Sequence, residues 1–172
     1  MKIYVDLDGT ITDFDRALYD LTGVWLDRLP NTYASNNNET DLLLKQVPTK
    51  GGVDFWANMN WLPEGKLMWS QIKALSNEHN CELSIISSPG TVRGSDFVKV
   101  ATKGKPLWVK KELGDIPLIL ECEKEKYADK NSILIDDYTK NIDKWTEKGG
   151  IGILHKIAFQ TISELTNILK YK

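Results

Sequence analysis

Five short apolar segments alternate along this chain with stretches of helical periodicity, and this alternation limits the fold more than any other feature. The segments are residues 2–5, 82–86, 116–120, 132–135 and 151–154. Runs of this length that are rich in Ile, Leu and Val indicate buried strands. Strands that alternate with helices form a parallel sheet with helices on both faces. We therefore predict an α/β fold with a doubly wound, Rossmann-like sheet of five parallel strands.

Polar residues follow three of these segments, where such a sheet would bind a ligand. Parallel sheets bind ligands beyond the carboxyl ends of their strands, where the strand order reverses. We predict the strand order 3-2-1-4-5, in which the ends of strands 1, 2 and 4 flank that position. Those ends carry Asp6 and Asp8, then Ser87 and Ser88, and finally Asp136 and Asp137.

The segment Asp6-Leu7-Asp8-Gly9-Thr10 directly follows the first strand. Carboxylates two positions apart lie on one face of a strand, and at a strand end both can converge beyond the sheet. Like charges so close need a counter-charge or a shared proton, and Mg²⁺ suits carboxylate oxygens. The alternative is an ordinary Asp-Gly turn. A calcium loop is excluded because Ala17 lies where that loop needs a glutamate.

The polar residues after strands 2 and 4 each have a functional and a structural interpretation. The Ser87 and Ser88 hydroxyls and the loop N–H groups beside them could bind phosphate oxygens, or the serines could simply be polar loop residues. Asp136 and Asp137 could cap a helix. Because they follow Ile133-Leu134-Ile135, a buried aliphatic run, we favour a metal site for this pair.

Residues 14–62 are too long for a simple connection and contain helical patterns of their own. We predict that they form a small helical cap, inserted after strand 1 into a core of residues 1–13 and 63–172. Within the cap, residues 27–38 have the composition of a loop. In the core, we predict a loop from Ser87 to about Gly104 and a helix from Pro106 to Leu113, because proline fits a first helical turn.

Composition limits the class of partner. The 172 residues carry a net charge of -2, which argues against a general nucleic-acid or anionic-membrane binder. We expect no stable nucleic-acid complex and no membrane association, and we leave a homodimer open. The two cysteines, Cys81 and Cys122, require no disulfide, and the first residues form a core strand rather than a signal peptide. We therefore expect a cytoplasmic protein.

The motifs after strands 1, 2 and 4 together resemble those of the haloacid dehalogenase superfamily of phosphotransferases, in the same order. The closer resemblance is to the 5'(3')-deoxyribonucleotidases of that superfamily. It is carried by Asp6–Thr10, Phe14, Trp61-Leu62-Pro63-Glu64-Gly65, Ile85–Pro89, Lys105 and Leu134–Asp137. Ser87 replaces a commoner Thr, and Tyr138 stands where an Arg often follows the paired acids. The cap between Val24 and Asn60 does not match, so the substrate is left open.

The resemblance implies a role for each matched residue. Asp6 would be the nucleophile, and Asp8 the general acid and base. Mg²⁺ would be held by Asp6, the backbone carbonyl of Asp8 and Asp136, with Asp137 completing the acidic cluster.

The resemblance also implies groups that bind the substrate. Phosphate contacts would come from Ser87, Ser88, Lys105 and one lysine among Lys124, Lys126 and Lys130. We choose Lys126 by its distance from Asp136 along the chain. Phe14, Trp56 and Trp61 would stack on a base, although each tryptophan could equally pack in the core.

The predicted function is Mg²⁺-dependent hydrolysis of (deoxy)ribonucleoside monophosphates through an aspartyl-phosphate intermediate. One alternative is a phosphatase of another small phosphate ester or of nucleic-acid 3'-phosphate ends. A second is a signalling module that carries a stable phospho-aspartate without turning over.

Overall fold

The computed structural model of the chain describes residues 1–26, 38–90 and 94–171. Most of the predicted loop over 27–38 therefore lies outside the described residues. The strands are β1 (Lys2–Val5), β2 (Glu82–Ser87), β3 (Leu118–Leu120), β4 (Ser132–Asp136) and β5 (Ile151–Leu154).

Helices alternate with these strands. They are α1 (Phe14–Thr22), α2 (Asn38–Leu44), α3 (Gly52–Ala57), α4 (Gly65–Glu78), α5 (Ser95–Leu113), α6 (Thr139–Glu147) and α7 (Ala158–Lys170). A π-helical turn covers Val47–Gly51, and a 3₁₀ turn covers Lys124–Tyr127. Over the three described ranges, no helix combines the length and the apolar character that crossing a membrane requires.

The five strands form one parallel sheet in the order β3-β2-β1-β4-β5, which confirms the predicted fold class and strand order. Val5 of the central strand is in register with Ile85 of β2 and with Ile135 of β4. All three side chains are fully buried. This register brings the carboxyl ends of β1, β2 and β4 to one edge of the sheet.

The chain divides into two compact units. Unit 1 comprises residues 1–12, 61–88 and 116–172 and contains the whole sheet. Unit 2 comprises residues 13–60 and 89–115, within the described ranges. Residues 89–115, which the sequence placed in the core domain, therefore group with the segment predicted as the cap.

Helix α5 begins at Ser95, so the predicted loop to Gly104 and helix start at Pro106 are wrong. Pro106 lies inside the helix, where it removes one backbone hydrogen bond. Packing in unit 2 outweighs that loss, because Phe97, Ala101 and Trp108 recur at helical spacing and are buried. A Cβ at Gly104 would lie 2.4 Å from Cβ of Trp56, so only glycine lets α5 approach α3 this closely.

Candidate active site

The turn after β1 fixes the position of Asp6. The backbone N–H of Asp6 donates to the carbonyl of Ile135 at 2.8 Å, which continues the pairing of β1 with β4. The N–H groups of Ile11 and Thr12 then both donate to the carbonyl of Leu7, at 2.9 and 2.8 Å. The chain is thereby folded back immediately after the strand, and the Asp6 carboxylate stays at the sheet edge, 6% exposed.

Gly9 allows this turn to lie against the end of β4. Its φ of +80° is in the left-handed region that favours glycine. A Cβ at this position would lie only 2.5 Å from Oδ2 of Asp137. The glycine of the Asp-x-Asp-Gly-Thr segment therefore permits both the turn and the close approach of a second acidic residue.

A buried lysine joins the ends of β1 and β4. Nζ of Lys124 lies 2.6 Å from Oδ1 of Asp6 and 2.6 Å from Oδ2 of Asp136. All three side chains are buried. Burial alone would lower the pKa of Lys124, but the two carboxylates outweigh it and raise that pKa above its ordinary value. The lysine is therefore a fixed positive charge between two acids.

The geometry favours Lys124 over Lys126, whose phosphate contact stays a prediction. Its ammonium lies at the surface, 2.6 Å from Glu123 and 3.4 Å from Glu121. Both lysines lie on the short 3₁₀ turn over 124–127, whose tight winding directs residues two positions apart to different sides. Lys124 points into unit 1, whereas Lys126 points to solvent.

The carboxylate of Asp136 has two further partners. The N–H of Tyr138 donates to Oδ1 at 2.9 Å, and Nδ2 of Asn141 donates to Oδ2 at 2.9 Å. Burial, with repulsion from Asp6, raises the pKa of Asp136 to about 6, against the opposing effect of Lys124. Asp136 therefore has close ionic partners, although burial and repulsion from Asp6 disfavour its ionised form.

Asp137 lies against the turn after β1. Oγ1 of Thr10 donates to its Oδ1 at 3.3 Å. Desolvation by surrounding protein atoms, with repulsion from Asp6 and Asp136, raises the pKa of Asp137 to about 8. Because solvent still reaches this side chain, screening limits the free energy that the shift represents.

Within the described ranges, Asp6, Asp136 and Asp137 form a group that could hold a cation. One carboxylate oxygen from each lies within 4.8 Å of the other two. Oxygen ligands suit Mg²⁺, and a divalent cation would relieve the repulsion that raises the pKa values of Asp136 and Asp137. The residues present therefore fit the predicted metal. The Asp8 carboxylate is not in this group and lies 3.4 Å from Oγ1 of Thr12. The metal contact expected of Asp8 is that of its backbone carbonyl, and it stays a prediction.

Ser87, the last residue of β2, and Ser88 lie in the same unit. Ser87 is fully buried, and its carbonyl accepts from the N–H of Glu121 at 3.1 Å. Ser88 is half-buried, with its Oγ 3.1 Å from Sγ of Cys122. Their contact with phosphate stays a prediction.

The other predicted binding residues fall in both units. In unit 2, Trp56 is 2% exposed and stacks on Phe14 with ring centroids 5.6 Å apart. Nζ of the fully buried Lys105 lies 4.7 Å from the Trp56 ring centroid. Trp56 is therefore packed in the core, which was the alternative to base stacking for each tryptophan. In unit 1, Trp61 is half-buried beneath the ammonium of Lys66.

Two residues at the site were not chosen from the sequence. Lys124 was one of three candidate lysines, and only the three-dimensional structure separates it from Lys126 and Lys130. Asn141 was not considered at all, although its place in the first turn of α6, five residues after Asp136, was a signal. A helix that begins directly after a strand turns its first polar side chains back toward the strand end.

No protein-family model matches this chain, and no curated protein matches it. A hydrolase from Pseudomonas syringae is similar in structure, with 14% identity and a TM-score of 0.46 over 95% of this chain and 89% of that chain. A protein described as a HAD-hydrolase, YfnB from Bacillus subtilis, bound to magnesium, has 12% identity and a TM-score of 0.49 over 98% and 97%. At these values, neither likeness assigns a function to this chain.

Proposed function

We propose that this chain is a Mg²⁺-dependent phosphomonoester hydrolase that forms an aspartyl-phosphate on Asp6. The observation that carries the proposal is the buried bridge of Lys124 between Asp6 and Asp136, with Asp137 close enough to share a cation with both acids. A buried ion pair alone is weak evidence of function. An excess of acids over lysines at a sheet edge, with raised pKa values, is typical of a site that binds a cation and an anionic substrate.

The residues of the chain supply the two chemical steps. An oxygen of Asp6 attacks phosphorus while the bond to the leaving oxygen breaks, and Asp8 gives its proton to that oxygen. Asp8 then takes a proton from water, whose oxygen attacks phosphorus and releases phosphate and Asp6. Acid–base help of this kind contributes about 10²–10⁴ in rate.

Lys124 and the serines after β2 would stabilise the charge on the transferring group. The lysine is held by two acids at 2.6 Å, so no reorganisation is needed to place its charge near Asp6. Asp6, Asp136 and Asp137 would hold Mg²⁺, which offsets the repulsion between a carboxylate nucleophile and a phosphate dianion.

We propose (deoxy)ribonucleoside monophosphates as the substrates. The support is the resemblance of Phe14, Lys105 and residues 85–89 to the 5'(3')-deoxyribonucleotidases. The net charge of -2 favours a small phosphate ester over a nucleic-acid end.

The test measures phosphate release from 5'- and 3'-mononucleotides, sugar phosphates and a nicked duplex, with Mg²⁺ and with a chelator. We expect mononucleotides to be hydrolysed only with Mg²⁺, and Asp6→Asn to lower kcat on the order of 10⁴-fold or more. Asp20→Asn is the matched control, because Asp20 is exposed and pairs with Arg16 at 2.9 Å. Activity retained in Asp6→Asn would contradict the assignment of Asp6 as the nucleophile. A stable phospho-Asp6 that releases no phosphate would indicate a signalling module.

A further inference from the structure

Asn141 is the one uncharged side chain that donates to the acidic cluster from helix α6. Its Nδ2 lies 2.9 Å from Oδ2 of Asp136, the same oxygen that Lys124 contacts at 2.6 Å. Its backbone N–H donates to the carbonyl of Tyr138 at 2.9 Å, which fixes Asn141 in the first turn of the helix. The amide therefore reaches Asp136 from a rigid element.

The hydrogen bonds of Asp136 divide unequally between its two oxygens. An ionised carboxylate offers about four lone-pair positions, two on each oxygen. Lys124 and Asn141 fill both positions on Oδ2, whereas the Tyr138 N–H fills one on Oδ1. One position is left, and it is on Oδ1. A cation bound by Asp136 would therefore meet Oδ1.

That the Asn141 amide carries no charge is as important as the hydrogen bond that it donates. The cluster already holds three carboxylates against one ammonium. A second lysine would fill Oδ2 equally well, but it would cancel the charge that attracts a cation. An amide orients Asp136 and leaves that charge unchanged.

We propose that Asn141 is a positioning residue that makes Oδ1 of Asp136 the cation-binding oxygen and so sets the affinity for Mg²⁺. This inference rests on the proposed function for its metal, but it concerns a residue for which that proposal gives no role. Residues that orient a metal ligand typically change metal affinity by about 10–100-fold when they are removed.

The test is calorimetric titration of the full chain with MgCl₂ at pH 8, in the absence of substrate. Asn141→Leu keeps the approximate size of the side chain and removes the donor, and we expect the Kd for Mg²⁺ to rise about 10–100-fold. Asn141→His replaces the amide nitrogen by Nδ1–H, also bonded to Cγ, and we expect it to retain most of the affinity. Asn167→Leu, on the exposed side of α7, is the matched control.

Melting temperatures with and without Mg²⁺ separate positioning from folding. A positioning role reduces the rise in melting temperature that Mg²⁺ produces and leaves the metal-free value close to wild type. An unchanged Kd in Asn141→Leu, or equal losses in the Leu and His variants, would overturn the inference. Wild-type protein that binds no Mg²⁺ would overturn both this inference and the proposed function. Mg²⁺ binding without turnover would contradict the proposed function alone and leave the inference on Asn141 measurable.

Discussion

Among the residues that the structure describes, two lysines are buried, one in each unit, in different surroundings. In unit 1, Lys124 is held between two carboxylates at 2.6 Å each. In unit 2, Lys105 has its ammonium 4.7 Å from the centroid of the Trp56 ring, within a cluster of aromatic side chains. Both are at most 3% exposed. The same residue type thus contacts two carboxylates in unit 1 and an aromatic ring in unit 2.

The difference shows which surroundings favour chemistry. The acids around Lys124 remain in excess of it, so the site keeps a negative charge that a cation can satisfy. A ring quadrupole attracts an ammonium but adds no net charge and no ligand for a metal. Unit 1 therefore has the features of a reactive site, whereas the ring contact in unit 2 is typical of a packed core.

The largest effect that would test this comparison is expected for Lys124→Met. Removing the ammonium leaves Asp6 and Asp136 buried without their shared partner, which typically costs about 3–5 kcal/mol of stability. We also expect kcat to fall by about 10²–10³-fold, because a fixed charge near the transferring group is lost. Denaturant unfolding and phosphate release measure the two effects.

Lys126→Met is the matched control on the same turn. Its ammonium is exposed and pairs with surface glutamates. We therefore expect the free energy of unfolding to change by at most about 0.5 kcal/mol and kcat to equal that of the wild type. If Lys126→Met lost activity and Lys124→Met did not, the sequence-based choice of lysine would be restored.

The second effect is a pH dependence confined to unit 1. The pKa values of Asp136 and Asp137 are raised to about 6 and about 8, so the folded state binds more protons than the unfolded state between pH 4 and pH 8. Their contribution to stability is full below the unfolded pKa and is lost as pH rises through the folded values. Because solvent screening at the exposed Asp137 reduces the full value of the two shifts, we expect metal-free protein to lose about 2 kcal/mol from this source between pH 5 and pH 8, and Mg²⁺ to restore it at pH 8.

His155 acts in the opposite direction, because burial lowers its pKa and its contribution is lost as pH falls. Comparing the wild type with Asp137→Asn removes the contribution of His155, since both proteins keep this histidine. Urea unfolding at pH 5, 6, 7 and 8 should show a smaller decline for the variant. Parallel curves for the two proteins would mean that Asp137 is ionised throughout this range.

The parallel sheet was predictable because strands buried on both faces are continuous aliphatic runs, and their alternation with helices indicates parallel pairing. The first turns of helix α5 were not predicted, because Gly104 indicates a break in a helix and Pro106 suggested a beginning. What determines the start at Ser95 is packing in unit 2, including the contact that only Gly104 allows. Such long-range contacts leave little local signal.

The convergence of the acids was predictable because Asp6, Asp136 and Asp137 lie at the carboxyl ends of strands, and a strand end fixes a position in space. Lys124 and Asn141 lie on a short turn and a helix, where one residue of rotation changes the direction of a side chain by about 100° or more. Spacing along the chain therefore identified the right segments and could not select the residue within them.

The smallest effect is expected for Lys105→Met in unit 2. Methionine keeps an unbranched chain of similar length beside Trp56, so most packing is retained, and the lost attraction between ammonium and ring contributes about 1 kcal/mol. Lys103→Met, exposed on the same helix, is the control. Urea unfolding measures both. A loss of about 3–5 kcal/mol, equal to that of Lys124→Met, would mean that Lys105 also balances a buried acid, and the contrast between the two lysines would no longer hold. A raised KM for mononucleotides with little change in stability would instead support the predicted phosphate contact of Lys105.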